Sequence, residues 1–210
     1  MRALVLFTAA VVAAVSAGHA SARHDATPNP FTTPASRAAD IHFVPLDARA
    51  ARLVRQTLPA LKPWLKRSAE VTEIPTPSTS WVNPARRQLN SLVVMRDIMK
   101  RFRSAQGRRP AFLVPVTTQS IYIAEKPEWR FVFGAYFGAG TQVAAIVATA
   151  QMRVFHPERE KARMTKMILR DIGFVLCGLP KSNDPKSVLF ANIRSDADLD
   201  RMVATLPKGC

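Results

Sequence analysis

The chain has 210 residues, of which 48% are hydrophobic, and its 30 Lys and Arg outnumber 15 Asp and Glu to give a formal net charge of +15. This length can bury one ordinary core without a disulfide scaffold, which excludes the class of small disulfide-rich domains. The charge predicts attraction to polyanions, but the basic residues lack the interleaved aromatic side chains of a single-strand nucleic-acid face, so we expect no specific nucleic-acid partner. A solvated basic surface and adhesion to an anionic envelope surface both remain open.

The N-terminus has the pattern of an export signal. Arg2 precedes an apolar run over residues 3–15, and Ala20 and Ala22 form an A-x-A cleavage site. We predict a signal peptide over residues 1–22, cleaved after Ala22, and therefore a secreted or exported protein. An uncleaved anchor is the alternative, although the run is short for a bilayer span. Residues 23–40 are rich in Pro, Thr and Ala and predict a disordered spacer before one domain over residues 41–210.

The first half of that domain predicts alternating strands and helices. Residues 41–46 predict a strand, and Asp47 predicts the cap of a helix that Pro59 and Pro63 end or kink. A short strand is expected over residues 71–74. Asn83, with Pro84 in the first helical position, is expected to open a second long helix with an apolar stripe reaching Phe102.

The second half predicts a sheet followed by helices. Residues 111–149 contain four apolar runs that indicate a sheet with one long hairpin or edge strand. Pro157 is expected to begin the last long helix, which runs toward Gly178. Asp196 and Asp198 are expected to precede a short helix over residues 199–206. The fold class is therefore α/β, a single compact domain with a mixed sheet and long helices.

Residues 163–189 carry a degenerate zinc motif. The metzincin signature H-E-x-x-H-x-x-G-x-x-H requires two imidazoles one helical turn apart, a glutamate and a third imidazole. Aligned without gaps on its glycine, here Gly178, the three histidine positions fall on Asp171, Val175 and Lys181, and the glutamate position falls on Ile172. An alignment shifted by one residue instead uses Arg170, Phe174 and Pro180 or Lys181, with Asp171 in the glutamate position.

Other segments resemble archaemetzincins in the same order along the chain. Residues 115–122 are similar to the family's V-T-x-x-D-[IL]-Y segment, residues 131–135 to F-V-F-G-x-A, and residues 146–149 to I-V-S-T. Residues 181–189 resemble the spacing of H-C-x4-C-x-M, with Ser182, Ser187 and Leu189 in place of the cysteines and the methionine. The chain thus resembles a diverged archaemetzincin over residues 41–210. The resemblance implies a twisted mixed sheet and a degenerate zinc helix followed by a Met-turn-like segment.

The resemblance also implies what the site has lost. Without the histidines we expect no catalytic residue, no metal and no cofactor, and hence a secreted pseudoprotease that retains binding of extended peptide or protein. The edge strand that pairs with substrate in metzincins corresponds to residues 143–149, so the candidate binding residues are Val143, Ala145, Val147 and Thr149.

Two alternative functions stay open. The first is a zinc-dependent metallopeptidase with a non-standard ligand set that uses Asp171, a weak metal candidate, and His156. The second is a basic protein that binds polyanions or the cell envelope. The histidines of the mature chain, His24, His42 and His156, are never four residues apart; we expect His42 to face solvent and His156 to mark a helix start.

The chain has two cysteines, Cys177 and Cys210. Cys177 lies in an apolar run, which favours a buried unpaired thiol, and a disulfide between the two is the alternative.

Overall fold

The structure is a computed structural model that describes residues 40–65, 68–73, 78–106, 111–139, 142–153 and 156–207. The predicted signal peptide, and the predicted spacer apart from its last residue, lie outside the described residues. That last residue, Asp40, already belongs to the first strand.

A five-stranded mixed sheet forms the centre of the fold. Its strands are β1 (Asp40–Pro45), β2 (Ala69–Val71), β5 (Ala111–Thr117), β7 (Gly134–Ala139) and β8 (Gln142–Ala148), in the order β2-β1-β5-β8-β7. All neighbours are parallel except β7 and β8, which are antiparallel. The long hairpin is therefore confirmed. The short strand predicted at residues 71–74 begins earlier, at Ala69.

Helices cover both faces of this sheet. Helix α1 (Ala48–Leu61) and helix α3 (Pro157–Val175) pack on one face, and helix α2 (Ser91–Gln106) packs on the other. Side chains of β5 alternate between the two cores, with Phe112 and Val114 toward α1 and α3 and Leu113 toward α2. Because both faces are covered, all seven residues of β5 and of β8 are buried.

A second, smaller sheet has two strands before α2 and one after it. It contains β3 (Val82–Asn83), β4 (Gln88–Asn90) and β6 (Ile121–Tyr122) in the order β3-β4-β6. The prediction that Asn83 and Pro84 open the helix is wrong, because the Asn83 side chain accepts hydrogen bonds from the backbone of Ala85 (3.0 Å) and stabilises a turn. Asn90 caps the helix instead, and its Oδ1 accepts from the backbone N–H of Leu92 at 3.1 Å.

The predicted cap of α1 is confirmed, since Asp47 Oδ1 accepts from the backbone of Ala50 at 2.8 Å. Pro59 lies inside α1, and the helix continues past it to Leu61. Helix α3 begins at Pro157 as predicted, with His156 as its N-cap residue.

The final helix, α4 (Asp196–Arg201), begins earlier than predicted. Ser195 and Asp198 form a capping box that starts it, so the two aspartates lie inside the helix. Arg163 of α3 anchors this region, because its guanidinium donates to Asp200 at 2.7 and 2.6 Å. Within the described ranges, no helix has the length and apolar character that crossing a membrane requires.

Cys177 is disulfide-bonded, so the preferred expectation of an unpaired buried thiol is wrong. The residue lies past the last turn of α3 and is only half-buried, rather than sealed within the apolar helix. The other cysteine of the sequence, Cys210, lies outside the described residues.

Candidate functional site

A cleft of about 760 Å³ lies between the edge strand β7, the C-terminal half of α3 and the chain that follows it. Its walls come from residues 129–136, from two residues of α3 and from residues 181 and 191–194. The apolar part includes Phe131, Met167 and Ile193, and Trp129 is 47% exposed at the same cleft. Such a mixture of apolar walls with a few polar groups is typical of a ligand site.

Arg170 is the charged group that lies deepest in the cleft. Its side chain is 13% exposed, its Nε donates to the Phe190 carbonyl at 3.3 Å, and its guanidinium lies 4.6 Å from the centre of the Phe174 ring. The carbonyl and the ring fix the orientation of the guanidinium. The nearest carboxylate oxygen recorded for it, Asp171 Oδ1, is 3.9 Å away, which is a weak ion pair.

Lys181 provides a second cation in the same cleft. Partial burial and, next, the positive charge of Arg170 lower the pKa of the Lys181 ammonium. The two cations therefore repel each other across the cleft.

Asp171 lies behind Arg170, in the core. The residue is 2% exposed, and its Oδ2 has no hydrogen-bond partner among the described residues. Burial raises the pKa of Asp171 from 3.8 to about 7, and the charge of Arg170 limits the rise. Near neutral pH this carboxyl is therefore protonated in a large fraction of molecules.

Solved structures of archaemetzincins share this architecture. The chain is 24% identical to an archaemetzincin from Archaeoglobus fulgidus complexed with malonate, with a TM-score of 0.59 and coverage of 80% of this chain and 96% of that one. An archaemetzincin from Methanopyrus kandleri is 19% identical (TM-score 0.60, coverage 87% and 93%), and a zinc-dependent peptidase from Methanocorpusculum labreanum is 20% identical (0.64, 80% and 96%). The chain has the archaemetzincin fold. No protein-family model and no curated protein sequence matches it.

Within this archaemetzincin fold, the two alignments of the zinc motif lead to different places. Asp171, Ile172 and Val175 of the ungapped alignment are 2%, 2% and 0% exposed, and none of them lines the cleft. Lys181, which both alignments share, lines the cleft. Of the positions that differ, Arg170 of the shifted alignment also lines the cleft, and Phe174 contacts its guanidinium. The histidine positions of the shifted alignment are therefore the ones that come together, although Asp171 in its glutamate position lies in the core.

These side chains do not fit a zinc ion. Zinc requires three protein donors drawn from imidazole, thiolate and carboxylate, whereas a guanidinium, a phenyl ring and an ammonium offer none of these. Two neighbouring positive charges also repel a divalent cation. Across the described ranges, no group of three His, Cys, Asp or Glu side chains could hold a metal ion.

The histidines do not complete the set. His156 is exposed at the start of α3, fifteen residues from Asp171, which corresponds to about 22 Å along a helix. His42 lies in β1, where its Nδ1 is 3.0 Å from Thr72 Oγ1 and its ring packs edge-on against Phe102. The expectation that His42 faces solvent is therefore wrong, and the ligand pair of Asp171 with His156 is not formed.

The predicted peptide-binding strand is also misplaced. Val143, Ala145, Val147 and Thr149 are at most 4% exposed, and the first three point into the core under α3. Strand β8 lies between β5 and β7, so its backbone is already paired on both sides. The edge strand is β7, whose Gly134, Ala135 and Tyr136 line the cleft.

The sequence analysis does not predict Trp129 and Tyr136 as cleft residues. It places Arg170 in a histidine position of the shifted alignment, where an arginine cannot bind zinc. A signal for Arg170 was present, because an arginine and a phenylalanine at i and i+4 share one face of a helix.

Proposed function

We propose that this protein is an exported, non-hydrolytic relative of the archaemetzincins that binds extended peptides in the cleft along β7. The side chains in the motif positions support the loss of hydrolysis. Arg170 and Lys181, which line the cleft, occupy two of the positions that hold zinc in the metzincin motif. A metal-activated water requires an ion that these cations repel.

Peptide binding is supported by the geometry of β7. The Phe133 carbonyl accepts from Ala148 N at 2.9 Å, so Phe133 is a hydrogen-bonded partner of β8. Because backbone groups of an antiparallel pair alternate in direction, those of Gly134 and Gly138 face away from β8. An extended peptide can pair with these groups as an added strand, and main-chain hydrogen bonds of this kind need no metal.

N-methylated peptides test the strand pairing. In an added strand, only alternate peptide N–H groups face β7, so two versions of one peptide, methylated on the odd or on the even positions, present opposite edges. We expect one methylated version to bind the purified protein with an affinity similar to that of the unmodified peptide. The other version should bind at least about tenfold more weakly, because methyl groups on the edge that faces β7 remove several hydrogen bonds. Equal binding of the two versions contradicts the added-strand geometry.

Restoring the histidine motif tests which alignment of the zinc motif is correct. The combined replacements Arg170→His, Asp171→Glu, Phe174→His and Lys181→His should create a protein that binds about one zinc ion per chain. The matched control places His at 171, 175 and 181 and Glu at 172, where three of the four side chains are buried in the core. Zinc bound by the control and not by the first variant would show that the shifted alignment is wrong.

Attachment to polyanions is a second candidate, and the net charge of +15 is the observation that favours it. If the protein binds polyanions, its affinity for heparin or anionic vesicles should fall strongly between about 50 and 500 mM salt. Peptide pairing along β7 depends less on salt, so the two candidates separate in one titration.

A further inference from the structure

Among the described residues, four cationic side chains and no acidic one line the cleft. Arg130, Arg170, Lys181 and Arg194 all belong to its walls, and no Asp or Glu occurs among the described residues that line it. Asp171 lies behind the wall, in the core, 3.9 Å from the Arg170 guanidinium, and Asp198 accepts a hydrogen bond from the backbone of Arg194. Because neither carboxylate lines the cleft, a ligand there meets an excess of positive charge.

Arg170 is prepared to bind an anion. Its Nε is held by the Phe190 carbonyl and its guanidinium rests on the Phe174 ring, so the group loses little freedom when a ligand arrives. Its weak ion pair with Asp171 spans 3.9 Å, and the raised pKa of that carboxyl, about 7, leaves it partly neutral. An arginine in this situation lacks a strong carboxylate partner and can donate two parallel hydrogen bonds to one.

Lys181 strengthens the same preference. No ion pair is recorded for its ammonium within the described residues, and it is repelled by Arg170. An anion placed between the two cations removes this repulsion and adds attraction on both sides. Arg130 and Arg194 are exposed at the same cleft and extend the positive field outward, which favours the approach of anionic ligands.

We infer that the cleft recognises a carboxylate carried by the bound peptide, which accepts hydrogen bonds from Arg170 and Lys181 while the neighbouring residues of the peptide lie along β7. This inference rests on the proposed peptide binding and names the chemical class of the ligand. The carboxylate belongs to an acidic side chain or to the C-terminus of the peptide. The apolar walls, Trp129, Phe131 and Ile193, take the side chains next to it.

Four peptides of one otherwise neutral, N-acetylated sequence distinguish the sources. The first has a free C-terminal acid, the second a C-terminal amide, the third an amide with a central glutamate, and the fourth an amide with a central glutamine. Isothermal titration calorimetry on the full mature chain at pH 7.5 measures each affinity. We expect the free-acid or the glutamate peptide to bind about ten- to a hundredfold more tightly than its neutral twin, because hydrogen bonds to charged groups are among the stronger ones.

Two variants assign the effect to the cleft. Lys181→Gln removes an exposed cation and should reduce the affinity ratio between the carboxylate peptide and its neutral twin by about tenfold. Lys100→Gln removes the same charge from the exposed face of α2 and should leave the advantage unchanged. Arg170→Gln should abolish the advantage of the carboxylate peptide. If this substitution of a buried residue prevents folding, the Lys181→Gln variant still decides the test.

Each outcome has a distinct meaning. Equal affinity for all four peptides overturns the carboxylate inference and leaves the proposed peptide binding in place. Equal loss in the Lys181 and Lys100 variants also overturns it, because the effect is then general attraction to a basic protein. Failure of every peptide to bind overturns the proposed function itself.

Discussion

The buried carboxyl of Asp171 makes the stability of the protein depend on pH in an unusual direction. Burial raises the pKa of Asp171 from 3.8 to about 7, so between these values the folded chain holds a proton that the unfolded chain releases. The contribution of Asp171 to the free energy of unfolding therefore falls as pH rises through this window and is lowest above pH 7. The distance between the two pKa values corresponds to about 4 kcal/mol in the free energy of unfolding.

Asp171→Asn removes the titration and keeps the shape of the side chain. The difference in unfolding free energy between this variant and the wild-type chain cancels the contributions of all other groups. We expect the variant to gain about 3 kcal/mol relative to wild type between pH 5 and pH 8, measured by urea unfolding followed by circular dichroism.

Asp198→Asn is the matched control. Hydrogen bonds, first from the backbone of Arg194, lower the pKa of Asp198 to about 2, so its stabilisation is lost only as pH falls from 3.8 toward 2. Its effect on stability should therefore be constant between pH 5 and pH 8. A constant difference for Asp171→Asn as well would refute the argument that this carboxyl is buried without a sufficient partner.

Three further changes probe the packing around the site, each by urea unfolding. Gly134→Ala should lower the free energy of unfolding by about 1–3 kcal/mol, because the new Cβ would lie 2.9 Å from the Ile146 carbonyl oxygen, which cannot move without disturbing β8. An unchanged urea midpoint would contradict this close approach. Asp200→Ala should lower the free energy of unfolding by about 3 kcal/mol, because it removes the carboxylate that accepts two hydrogen bonds from the buried Arg163, whose exposure is 2%. A loss under about 0.5 kcal/mol would argue against this role of Asp200. Asn90→Ala should cost about 1 kcal/mol through the lost cap of α2, and no loss would place the cap elsewhere.

The order of strands and long helices could be predicted from the sequence because hydrophobic patterns and caps are local. Asp47 caps α1 and Pro157 begins α3 as predicted. Asn83 misled the prediction because an asparagine side chain stabilises a turn as readily as it caps a helix, and the choice depends on the pairing of β3 with β4.

The edge strand was misassigned although the sequence held a clue. Residues 143–148 are a continuous run of small and branched apolar side chains, which is typical of a strand covered on both faces. Strand β7 contains Gly134 and Gly138 and is only half-buried, as suits a strand at the border of a sheet. The resemblance to archaemetzincins predicts the edge strand at residues 143–149, against this local pattern.

The degenerate motif could be located, but its alignment could not be decided from the sequence. Both alignments lack histidines, and only burial separates Asp171 and Val175 in the core from Arg170 at the cleft. The pairing of Cys177 was equally undecidable, because disulfide formation depends on where distant chain segments meet.

The metal content of the purified protein tests the central claim most directly. After exposure to equimolar zinc and gel filtration, inductively coupled plasma mass spectrometry should find well below one zinc ion per chain, because Arg170 and Lys181 offer positive charge where donors are needed. About one tightly bound zinc ion per chain, with peptide hydrolysis that a chelator removes and added zinc restores, would contradict the account.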